Sequence, residues 1–208
     1  MSPSKAETTR KPAATPTTAS PALEWLWKYL RDTPRPRFLD CGPVSASTVR
    51  VLLQRRAKLY VADAIAPLQR GDPALWKPEG KKLVFDPQAF MERLPRIPPA
   101  SLTVICAWHL LDLLPRESRG KLVEKLFGLL QPGGVFFCLL REPSLAAGVD
   151  TYWWFETLQT LSMGGHGQRN FPYPAVSNRE VEQLASGTSA KTFLTRSGRR
   201  EVVILKAP

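Results

Sequence analysis

Short apolar runs that end in an acid recur along the first half of this chain. Arg37-Phe38-Leu39-Asp40, Lys58-Leu59-Tyr60-Val61-Ala62-Asp63 and Lys81-Lys82-Leu83-Val84-Phe85-Asp86 each close on a carboxylate. Two further runs, Ser101-Leu102-Thr103-Val104-Ile105-Cys106-Ala107-Trp108 and Val135-Phe136-Phe137-Cys138-Leu139-Leu140, are nearly continuous in apolar residues. That is the pattern of strands covered on both faces. Apolar residues at helical spacing lie between them, at Leu23, Leu26, Trp27 and Leu30, and at Leu122, Leu126, Leu129 and Leu130.

The punctuation agrees. Gly42 to Ser47 is a small-residue turn with a Ser/Thr cap, leading from strand to helix. Pro21 opens the first helix, and Pro34 and Pro36 lie beyond its end. Gly71 and Pro73 leave only a weak helix over 66–78, and 90–94 makes a short helical turn. Gln131-Pro132-Gly133-Gly134 stops the helix of 117–130. The spacing predicts a helix over 151–162, a helix from Ser177 or Asn178 to about Ala185, and a closing hairpin of 190–195 and 199–206 around Arg196-Ser197-Gly198. Strand and helix alternate, which calls for an α/β fold: a doubly wound, mainly parallel sheet with helices on both faces and one antiparallel strand from the terminal hairpin. Residues 1–20 carry no large apolar residue after Met1 and read as a disordered basic tail, so one domain spans 21–208. The long connection over 143–176 has the length of a lid or binding loop.

Charge adds one option. The 208 residues carry 29 Lys+Arg against 18 Asp+Glu, a net +11, which permits attraction to nucleic acid or another anionic surface without specifying it. Cys41, Cys106 and Cys138 lie in or beside strands without paired spacing, as buried thiols of a reducing, cytoplasmic compartment do. Neither His109 nor His166 stands at zinc-motif spacing from a Cys, so no metal is expected. No apolar run approaches the ~20 residues of a bilayer span.

Ligands of open α/β sheets sit outside the strand C-termini, where Asp40, Asp63 and Asp86 gather. A loop such as 40–47 aims backbone N–H groups and a helix N-terminus at that space, and Asp63 follows at the ~20-residue distance suited to a ribose hydroxyl pair. Each acid is equally suited to capping the helix or turn after it. His109 is the histidine placed for general base work, or else packs at a helix start beside Asp112. Trp153, Trp154, His166, Phe171 and Tyr173 read as the wall of an acceptor pocket or as an ordinary aromatic minicore. A nicotinamide-dependent dehydrogenase also uses an acid at Asp63, but Gly-x-Gly-x-x-Gly is missing.

Asp40-x-Gly42, Asp63, Asp86, Leu129-Leu130-Gln131-Pro132-Gly133-Gly134 and the closing hairpin, in this order, resemble the class I S-adenosylmethionine-dependent methyltransferases over about residues 22–206. The resemblance implies a Rossmann-like three-layer αβα sandwich with a seven-stranded sheet and S-adenosylmethionine across the first four strand ends. By it, Asp40 and Gly42 would meet the methionine part, Asp63 the ribose, and Asp86 with Pro87 and Gln88 the adenine edge. Trp108 would flank the cofactor where the acceptor, a small molecule, approaches. Methyl transfer from a sulfonium is an in-line displacement that needs chiefly placement and exclusion of water. The family loop reads Asp/Glu-x-Gly-x-Gly-x-Gly, and here Val44 and Ala46 replace the second and third glycines, while Thr103 stands where an acid is common. Val44 either points away from the pocket or fills it. In the second case the chain is a noncatalytic methyltransferase-like domain that binds a protein or RNA partner. Asn170-Phe171-Pro172-Tyr173 is similar to the Asn-Pro-Pro-Tyr box of amino-group methyltransferases of nucleic acids, but it does not close the fourth strand and reads as a loop coincidence.

Overall fold

A computed structural model describes residues 17–142, 152–164, 171–185, 188–195 and 199–207. The elements run β1 (Thr17–Ala19), α1 (Pro21–Tyr29), β2 (Arg37–Asp40), α2 (Ala46–Gln54), β3 (Lys58–Val61), α3 (Ile65–Gln69), β4 (Trp76–Glu79), β5 (Lys82–Phe85), α4 (Pro87–Glu92), β6 (Leu102–Trp108), α5 (Arg116–Leu129), β7 (Leu130–Arg141), β8 (Tyr152–Phe155), β9 (Thr160–Gly164), α6 (Asn178–Leu184), β10 (Ser189–Leu194) and β11 (Arg199–Leu205).

The central sheet has six strands in the order β10-β11-β7-β6-β2-β3. The four from β3 to β7 pair in parallel, and β11 runs antiparallel to both its neighbours. The chain leaves β2 outward to β3 and then returns to β6 on the other side. The strand order therefore reverses between β2 and β6, the place where open α/β sheets form their ligand crevice.

Alternate residues of β6 enter different cores. Ile105 and Ala107 join the core built with α3, α4, α5 and α6. Val104, Cys106 and Trp108 join the one built with α1, α2, β8 and β9. Because successive side chains of a strand point to opposite faces, helices pack on both faces of the sheet.

Three expectations are corrected. The run ending at Asp86 is not a seventh strand of the central sheet: β5 pairs antiparallel with β4 across a tight turn at Gly80 (φ 61°). Such a local hairpin closes at little entropic cost and pairs the strand's backbone on one side, as a place at the edge of the large sheet would have done. The span 151–162 is no helix in its described part, but a β8–β9 hairpin with Trp153 and Phe155 buried on one side. The tail does not end at residue 20, since β1 pairs with β9 and Ser20 caps α1. Residues 1–16, the parts 143–151 and 165–170 of the predicted lid, and the terminal hairpin turn at 196–198 lie outside the described residues.

Candidate functional site

Asp40 ends β2, and its carboxylate is buried at 2% exposure. Its Oδ1 accepts the Gly42 N–H at 2.9 Å and the indole Nε1–H of Trp108 at 2.5 Å. Burial pushes its pKa up to about 6, the two donated hydrogen bonds oppose this, and the charge of Asp63 adds to it. Trp108, the last residue of β6, is fully buried and lies edge-on against Phe137 of β7 and Phe155 of β8. A Cβ built on Gly42 would stand 2.6 Å from Trp108 Cδ1 and 2.9 Å from its Nε1. Gly42 is therefore the residue that lets the loop lie against the indole.

Of the two outcomes considered for the replaced glycine, the structure shows the first, a side chain that points away from the pocket. Val44 is 76% exposed and points to solvent. The space over the Asp40–Gly42 turn is taken by Trp108 instead. The β8–β9 hairpin adds to the closure: the Phe155 N–H donates to Thr48 Oγ1 at 3.2 Å, and Glu156 meets the Ser47 hydroxyl at 3.4 Å in the first turn of α2.

The other two acids cap helices. Asp63, exposed after β3, accepts the Ala66 N–H at 3.1 Å at the start of α3. Asp86 accepts from the Gln88 and Ala89 N–H groups at 2.9 and 3.4 Å at the start of α4. Partial burial works to raise the Asp86 pKa, but those N–H groups and Lys77 hold it below the usual value. A cavity of about 40 Å³ beside Asp63, lined in part by Ala62, Leu75, Phe90 and Arg93, has room for a few waters but not for a base.

His109 follows Trp108 in the left-handed region (φ 53°), which a histidine adopts at a cost. It is fully buried, and its Nδ1–H donates to Asp112 Oδ2 at 2.9 Å, an oxygen that also accepts the Arg141 N–H at 2.9 Å. Among the described residues its Nε2 has no hydrogen-bond partner. Trp153 and Phe171 lie beside the imidazole at ring distances of 6.3 and 5.7 Å, and the Arg141 guanidinium covers Phe171 at 5.1 Å. Of the residues predicted to wall a pocket, Trp153 and Phe171 thus meet at His109, and Tyr173 joins through its carbonyl, which accepts from Arg141 Nη2. Trp154 lies on the alternate side of the hairpin, donating to Glu156 at 3.0 Å. His166 lies outside the described residues. Arg141 and Phe155 were not singled out from sequence: one looks like any strand-end cation, and the other sits in the span that reads as helix.

Among the described residues, no three His, Cys, Asp or Glu side chains are grouped to hold a metal. No described helix is long and apolar enough to cross a membrane. At the end where the family resemblance places the methionine part of S-adenosylmethionine, the indole of Trp108 and the Asp40 carboxylate are hydrogen-bonded to each other against Gly42.

No family model and no curated protein matches the chain. Many of the solved structures it is similar to are S-adenosylmethionine-dependent methyltransferases. One is the 1,6-didemethyltoxoflavin-N1-methyltransferase of Burkholderia thailandensis, solved with 1,6-didemethyltoxoflavin and S-adenosylhomocysteine bound: identity is 16%, 90% of this chain and 77% of that one are covered, and the TM-score is 0.49. A putative type 11 methyltransferase from Sulfolobus solfataricus gives 16%, 91%, 94% and 0.49 for the same measures. A methyltransferase from Aquifex aeolicus gives 13%, 88%, 88% and 0.47. At these values the likeness is one of architecture, and the site is read from its own side chains.

Proposed function

We propose that this chain is a methyltransferase-like protein whose donor site is closed by its own Trp108, so that it neither holds S-adenosylmethionine nor transfers methyl groups in this form. The observation that carries the reading is the buried pair of Trp108 and Asp40 at 2.5 Å, set against Gly42 at the β2/β6 reversal. A cofactor entering there would have to displace a fully buried tryptophan and leave a buried carboxylate without one of its two donors, a cost of about 1–3 kcal/mol for the missing hydrogen bond alone. Asp63 and Asp86 are consistent with the same reading, since each closes a helix N-terminus.

A second reading, an active methyltransferase of a small-molecule acceptor, draws on His109. Asp112 orients the imidazole through Nδ1, and Nε2, which has no hydrogen-bond partner among the described residues, would serve as a base once an acceptor reached the buried ring. Unfolding in urea with S-adenosylmethionine or S-adenosylhomocysteine separates the two. The closed-site reading expects no stabilisation of the wild type by either. It expects Trp108→Ala, although destabilised by about 3–5 kcal/mol, to gain up to about 2.7 kcal/mol at 100 times the dissociation constant. Saturable stabilisation of the wild type, with methyl transfer that His109→Gln abolishes, would establish the second reading instead.

A further inference from the structure

The opposite pole of the molecule, at the N-terminal ends of β2 and β3, concentrates the charge. Residues 28–58 hold eight Lys and Arg against two acids, one of them the buried Asp40, and so carry +6 of the net +11. The structure gathers seven of those cations at one end. Arg37 and Lys58 start neighbouring paired strands, the Lys58 N–H donates to the Pro36 carbonyl at 2.9 Å, and Arg55 of the α2 C-terminus covers the Trp27 ring of α1 at 5.4 Å. Among the described residues, only Lys28 of the seven has a carboxylate within salt-bridge distance, Glu24 at 2.7 Å. Arg35 and Arg56 sit at turns in the left-handed region (φ 50° and 53°), where glycine would be less strained.

A groove of about 290 Å³ runs through this pole between α1, the end of α2 and the β8–β9 turn, walled by Trp27, Arg31, Arg55 and the Lys28–Glu24 ion pair. On the adjoining flank of α1, Tyr29 is 43% exposed and stacked on Trp25 at 5.1 Å and 11°, and Lys191 lies over the Trp25 ring at 5.1 Å. Arginines without carboxylate partners, set beside aromatic rings, are what an unpaired polyanionic strand requires: phosphates take the guanidinium groups and bases take the rings.

We infer that this pole binds single-stranded nucleic acid. Trp108 does not line this groove, so binding there does not depend on whether the donor site is open. By contrast, the larger groove beside α5 mixes Lys77, Lys121 and Lys125 with Glu79, Glu117 and Glu124 and offers no such field.

The test is fluorescence anisotropy of labelled oligo(U), oligo(dT) and a duplex of equal length with the full chain, from about 50 to about 200 mM salt. Both single strands should bind more tightly than the duplex, and a preference between them identifies RNA or DNA. Arg31→Gln with Arg56→Gln, both exposed side chains, should reduce the slope of log K against log salt by about 1.4, at about 0.7 for each phosphate no longer neutralised. Tyr29→Ala should weaken binding about tenfold and Tyr29→Trp should restore it. Lys81→Gln with Lys121→Gln removes the same charge elsewhere and should leave affinity unchanged. The inference is overturned by no binding at low salt, by equal weakening from the two charge pairs, by a duplex that binds as well, or by folded Tyr29→Ala protein that binds as wild type.

Discussion

Asp40 makes the protein less stable at neutral pH than it need be. Its folded pKa is about 6, raised from 3.8 chiefly by burial. Between those values the native state keeps a proton that the unfolded chain has released, so stability falls as pH rises from about 4 to about 6 and the full penalty applies above that. At 1.36 kcal/mol per unit this is up to about 3 kcal/mol. Asp40→Asn keeps an oxygen for Gly42 and Trp108 but carries no charge. It is expected to raise urea stability at pH 7 by up to that amount and to leave stability at pH 4 nearly unchanged. Gly42 supplies a second residue-level check. Gly42→Ala should cost about 1–3 kcal/mol, because its Cβ falls on a side chain that Phe137 and Phe155 hold in place. The cost should shrink in a Trp108→Ala background, and the coupling in that double-mutant cycle measures the contact directly. The acids at the strand ends were legible in the sequence because an apolar run ending in a carboxylate is a local pattern. That the indole of Trp108 would turn toward Asp40 was not, since the two are joined only through the register of β2 and β6.

At the scale of elements, the β8–β9 hairpin and β1 form a small sheet that packs on the α1/α2 side and helps close the site. The hairpin escaped the sequence reading because Trp153, Trp154, Phe155, Leu158 and Leu161 satisfy helical spacing as well as alternation, and only the side-by-side burial of Trp153 and Phe155 decides between them. β1 escaped it because Thr17-Thr18-Ala19 brings almost no apolar surface, and its order comes from backbone pairing with β9. What fastens this N-terminal segment is Glu201 of β11. Fully buried, Glu201 accepts the Ser20 hydroxyl at 2.8 Å, the Ala22 N–H at 3.0 Å and Arg199 Nη2 at 2.7 Å. Glu201→Ala would leave the buried Arg199 without its carboxylate, and a destabilisation of about 3–5 kcal/mol is expected in chemical denaturation. Glu201→Gln, which retains an acceptor, should cost less.

For the whole molecule, the alternation of strand and helix from α1 through β3 and from β6 to β7 was legible from apolar periodicity, and so was the antiparallel strand from the closing hairpin. The number of strands in the sheet was not, because β5 satisfies its backbone locally with β4, across a turn whose Gly80 looked like any loop glycine. The protein thus divides into two ends: a strand C-terminal rim where Trp108 packs against Asp40, Phe137 and Phe155, and a pole at the N-terminal ends of β2 and β3 where residues 28–58 carry +6 of the net +11. Because Cys41, Cys106 and Cys138 are fully buried and burial raises all three thiol pKa values, native protein should react with a thiol reagent only as fast as it unfolds. The seal itself is followed most directly by the Trp108 indole N–H resonance, assigned by its disappearance in Trp108→Phe. It should move with a midpoint near pH 6 as Asp40 titrates and stay in place when S-adenosylhomocysteine is added in excess. An indole signal that shifts or loses exchange protection on addition of S-adenosylhomocysteine would contradict the account, because the donor site would then be open to its cofactor.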